Sequence, residues 1–76
     1  MLIAKAYYRN DDWQTACICL WQRTNDYYIT TTIGGDSLTQ PPEWSQIAKT
    51  EADARQIGNH FHRELKATRH MHRLPS

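Results

Sequence analysis

The sequence predicts an α+β fold, an antiparallel β-meander of three or four strands with one long C-terminal helix packed on one face. Three observations lead there. Three stretches within residues 2–33 are rich in alternating, β-branched or aromatic side chains, with short Asn/Asp-containing turns between them. Residues 51–73 instead repeat apolar side chains at helical spacing. With 76 residues, the chain has material for one domain and one hydrophobic core.

The first strand is expected at 2–9, with Leu2, Ala4, Ala6 and Tyr8 on one face and Ile3, Lys5, Tyr7 and Arg9 on the other. Asn10-Asp11-Asp12 forms the turn. The second strand, 13–22, is apolar on both faces: Trp13, Cys17, Cys19 and Trp21 on one, Ala16, Ile18 and Leu20 on the other. A single helix covers only one side. If it covers Ala16, Ile18 and Leu20, then Tyr7, Trp13 and Trp21 stand on an open sheet face; with reversed parity, the tryptophans form the core. Cys17 and Cys19 read as packing residues of a reducing compartment, held too far apart along a strand to close a disulfide.

After the turn Thr24-Asn25-Asp26, the third strand runs over 27–33, with Ile29 and Ile33 inward and Tyr28, Thr30 and Thr32 outward. Gly34-Gly35-Asp36 ends it, and residues 36–42 form a loop stiffened by Pro41-Pro42. Residues 44–48 fit a short fourth strand or a helical turn begun at Pro42. The strand is preferred, because Thr50 then starts a fresh helix.

That helix is expected over 51–73. Thr50 and Asp53 resemble a capping box, and Glu51 and Asp53 suit the positive end of the dipole. Arg69, His70, His72 and Arg73 suit the other end, and Pro75 forbids continuation. Ala54, Ile57, Phe61 and Leu65 form the apolar stripe. Gly58 lies within it, which predicts close packing against a bulky neighbour. Arg55, His62, Lys66, Arg69 and Arg73 make a basic stripe along one edge of the apolar face. A helix of this length would overhang the sheet and carry its last basic turns past it.

Net charge is only +1, yet it is unevenly spread: residues 54–76 hold five of the nine Lys and Arg, one of the eight acidic residues and all four histidines. No segment has the length and apolarity of a membrane span, and no signal peptide is evident, so a cytoplasmic protein without a membrane partner is expected. Metal binding has little to build on. His60 and Glu64 have helical ligand spacing, but within each of the two His-x-His pairs the rings point about 160° or more apart on a helix. No nucleophile with base and oxyanion hole, phosphate-cradling glycine loop or paired carboxylates can be assembled, so no enzyme and no cofactor is expected. Binding remains. The basic helix face (Arg55, His62, Lys66, Arg69, Arg73) suits phosphates or an acidic surface, and the open sheet face (Tyr7, Trp13, Trp21) suits a protein partner or a second copy in a homodimer.

In size and format, a short chain of one meander and one helix with no catalytic set, the sequence resembles small phage-encoded inhibitors, notably anti-CRISPR proteins. The resemblance covers architecture and transfers no residue roles. It implies a stoichiometric inhibitor in the bacterial host cytoplasm. Such an inhibitor would dock on a defence nucleoprotein complex and block its nucleic-acid or nuclease site. The alternative is an accessory protein that binds DNA or RNA directly through the same helix.

Overall fold

The computed structural model describes residues 1–34 and 40–75. Strands β1 (Leu2–Arg9), β2 (Thr15–Gln22), β3 (Tyr27–Ile33) and β4 (Trp44–Ala48) form an antiparallel meander, followed by helix α1 (Glu51–Arg69) and a two-residue strand β5 (His72–Arg73). The sheet order is β4-β3-β2-β1-β5. The fold is thus α+β, with one helix on one face of the sheet. Residues 36–39 of the expected 36–42 loop, and Gly35 before it, lie outside the described residues.

Side-chain parity is settled by β2. Ala16, Ile18 and Leu20 lie in the core with Ile29, Ala48, Ala54, Phe61 and Leu65, so the helix covers that side. Residues 44–48 form a strand, and Trp44 packs on Phe61 with ring centroids 5.8 Å apart. Thr50 caps the helix by accepting the Asp53 N–H at 3.2 Å, one of the two bonds of a capping box. A register shift between Leu2 and Ala4 changes the first turn of β1, so that Ile3 packs against the core while Leu2 stays exposed.

Four expectations need correction. The helix does not reach residue 73: it stops at Arg69, where His70 enters the left-handed region at φ 56 and its N–H and that of Met71 reach back to the Leu65 carbonyl. Met71 is thereby buried in the core, and the chain returns along β1 as β5. The expected overhang is absent as a result. The 19-residue helix spans about 28 Å at ~1.5 Å per residue, and its end is tied to the sheet by Asn10, whose Nδ2 donates to the Arg69 carbonyl at 2.9 Å. Trp13 is not in β2 but in the preceding turn, at φ 62. Finally, the Cys17 and Cys19 sulfurs are in contact at 3.6 Å, closer than the strand spacing suggested, and unbridged.

Asn10 organises the β1–β2 turn. It is 5% exposed, its Oδ1 accepts from the Asp12 and Gln14 N–H groups at 3.0 Å, and its Nδ2 also donates to Gln14 Oε1 at 2.8 Å. One side chain therefore fixes both the turn and the C-terminal end of the helix. An Asx-type turn of this kind is what Asn-Asp-Asp favours.

Candidate functional site

The helix lies over β2, β3 and β4. Beside it, between Ile3 and Tyr8, β1 offers only the methyl groups of Ala4 and Ala6 on the helix side. Side chains that small cannot close the gap, and a cleft of about 360 Å³ remains between β1 and the helix. Its sheet side includes Ala4, Ala6, Ile18 and Leu20, and its helix side includes Ala54, Gly58 and Asn59. Gly58 does not pack against a bulky neighbour as expected. A Cβ built there would meet nothing within 4 Å, because the glycine faces the cleft.

The exposed Arg55 and Arg73 and the half-buried His62 border this cleft. Arg73 arrives there from β5, which pairs it with Tyr8, and the Leu74 N–H secures the strand by donating to the Tyr7 carbonyl at 2.8 Å. Tyr8 Oη and His62 Nδ1 are 3.0 Å apart. With Tyr8 donating, the imidazole proton sits on Nε2; with His62 charged, Nδ1–H donates instead. Burial pushes the Tyr8 phenol above its ordinary pKa, and the Arg73 charge pulls in the opposite direction.

Of the five basic positions expected on one helix face, Arg55, His62 and Arg73 meet at the cleft, the last from a strand. Lys66 is exposed one turn beyond His62 and makes no ion pair among the described residues; nor does Arg73. Arg55 is held by Glu51 at 3.1 Å. Arg69 is turned away from the group towards Glu43, at 3.5 Å. The sequence reading missed Tyr8. Tyr8 carried a signal: it is the one large side chain in the Ala4-Ala6-Tyr8 row.

On the opposite side of the sheet, Trp13 is 74% and Tyr7 54% exposed, while Trp21 is half-buried. Cations cover three aromatic rings on this side: Lys5 over Tyr7, Arg9 over Trp13 and Arg23 over Tyr28, at 4.6 to 5.3 Å. Cys17, Cys19, Thr30 and Thr32 between them are buried. The left-handed backbone of Trp13 is an uncommon conformation for a bulky residue. Among the described residues, no three His, Cys, Asp or Glu side chains come together as a metal site, and no helix is long and apolar enough to cross a membrane.

Comparison of the chain with models of known protein families, with curated proteins and with solved structures finds no match.

Proposed function

We propose that this chain is a non-enzymatic binding protein whose cationic face, Arg55, His62, Lys66 and Arg73, grips a phosphate-bearing path on a larger assembly. One observation carries this reading. β5 brings Arg73 beside the helix, where it and Lys66 stand without a carboxylate partner among the described residues. Unpaired cations on adjoining elements suit a polyanion better than an isolated acidic side chain. The aromatic side of the sheet is a second surface of different chemistry, suited to protein. Phosphate on one side and protein on the other is what a nucleoprotein complex offers. The resemblance in format then favours a phage-encoded stoichiometric inhibitor of the anti-CRISPR type, acting in the bacterial cytoplasm.

The test is target cleavage by guide-loaded CRISPR effector complexes, titrated with the wild-type protein and with Lys66→Glu/Arg73→Glu. The expected result is inhibition of a susceptible complex that saturates at a fixed stoichiometry and disappears in the double variant. Inhibition undiminished by the charge reversal would refute the cationic face. Retardation of duplex DNA or RNA by the protein alone, with no effect on any complex, would favour the accessory-protein reading.

A further inference from the structure

We infer that the cleft between β1 and the helix is a ligand site for an amphiphile with one carboxylate head and an aliphatic body. This goes beyond the polyanion reading of the outer face and concerns the space beneath it. The volume of about 360 Å³ falls at the small end of ligand pockets, and at ~30 Å³ per water-sized group it admits on the order of twelve such groups. Its lining follows β1 from Ala4 to Tyr8. From Ala4 to Tyr8 the strand advances about 13 Å at ~3.3 Å per residue.

The chemistry differs along that length. Ala6, Ile18, Leu20, Ile29, Ala54 and Gly58 offer no polar side-chain atom, so a nucleobase placed against them would lose the hydrogen bonds of its edges. An aliphatic chain loses none. At the Tyr8 end, Arg73 supplies guanidinium N–H donors, and the Tyr8–His62 pair has one further donor left beyond the bond between them. Glu51 is the nearby carboxylate on the helix, and it is engaged by Arg55. Lys5 also borders the cleft, but its ammonium lies over the Tyr7 ring on the other side of the sheet, 5.0 Å from the centroid. Arg73, without an ion pair among the described residues, thus matches one negative charge on an apolar tail.

Two features would be unexplained if this space were merely surplus. Gly58 occupies a mid-helix position where a methyl group would meet nothing within 4 Å, so the glycine is not required by packing. Ala4 and Ala6 also leave the helix side of β1 unfilled. Together they keep the channel open.

The experiment is a titration of the isotopically labelled protein with decanoate below its micelle concentration, followed by amide NMR. Expected are saturable shifts centred on Ala6, Gly58 and Arg73, absent in a channel-filling Gly58→Leu variant. Arg73→Gln should weaken binding by about tenfold or more, the worth of a charge-assisted hydrogen bond. Decyltrimethylammonium, with the same tail and the opposite charge, should not bind. The absence of saturable shifts, equal shifts in Gly58→Leu, or equal binding of the cationic analogue would each overturn the proposal. Lys66→Glu leaves the channel lining intact. A Lys66-dependent inhibition surviving alongside a failed decanoate titration would therefore sink this inference alone, and the converse would sink only the polyanion reading.

Discussion

Replacing Gly58 by alanine separates two accounts of the helix. If the glycine were needed for close packing, the added methyl would clash and the domain would lose stability. The structure gives the opposite expectation, because the new Cβ meets no atom within 4 Å. What remains is backbone entropy. Glycine in a helix interior is less favourable than alanine by about 0.8–1.0 kcal/mol, and position 58 lies well inside Glu51–Arg69. Gly58→Ala should therefore stabilise by about that amount, which raises the melting temperature by roughly 4–8 °C in a domain this small. Urea unfolding followed by far-ultraviolet circular dichroism should show a higher midpoint with an unchanged slope, since the surface exposed on unfolding hardly changes. A lower midpoint would refute the reasoning and mean that something packs where the cleft is drawn.

Other perturbations test the core and its ionisation. Phe61, 6% exposed and packed at a tilt against Trp44, should cost about 3–5 kcal/mol when cut to alanine, enough to leave the domain largely unfolded; a near-wild-type thermal melt would contradict its central position. The fully buried Thr31 hydroxyl has no hydrogen-bond partner among the described residues, so Thr31→Val should stabilise by about 1 kcal/mol in chemical denaturation, and a loss would show that the hydroxyl is satisfied. Tyr8 ionises less readily folded than unfolded, so its contribution to stability is complete below about pH 10 and declines as pH rises from there through the raised folded value. Tyr8→Phe should therefore gain on wild type in alkaline melts above that pH; a gap that moves the other way would contradict the burial argument.

Much of the fold was legible in the sequence because local signals agreed. Asn10-Asp11-Asp12 and Thr24-Asn25-Asp26 mark turns, Thr50 marks a helix start, and Ile29, Phe61 and Leu65 mark an interior. The helix end was harder to place. Pro75 sets a limit but not the stop, which depends on His70 adopting a left-handed backbone so that Met71 can be buried. A trace of this exists in the pattern: at ~100° per residue, Leu74 falls far from the apolar stripe that ends at Leu65, while Met71 lies about 40° beyond Ile57 at its edge. β5 follows from that stop, and a two-residue strand has no periodicity to detect. The site was partly legible for the same reason. Arg55 and His62 belong to one helix face, but Arg73 joins them only through strand pairing. Arg69 leaves them because Glu43, 26 residues away in sequence, draws it off. Which face of β2 stays open was not legible from β2 itself: the strand is apolar on both faces, so its alternation allows two parities, and only the packing of Ala16, Ile18 and Leu20 under the helix decides between them.

The central claim is that Arg55, Lys66 and Arg73 contact phosphate, and the most direct test is the salt dependence of binding. The measurement is fluorescence anisotropy of a labelled nucleic acid, free or within the susceptible complex, across a series of salt concentrations. Three neutralised phosphates predict a slope of log K against log salt near −2.7, a loss of about 40-fold between 50 and 200 mM, with Lys66→Glu/Arg73→Glu flattening it. A slope near zero, or an unchanged slope in the double variant, would contradict the claim and leave these cations as a solvated face.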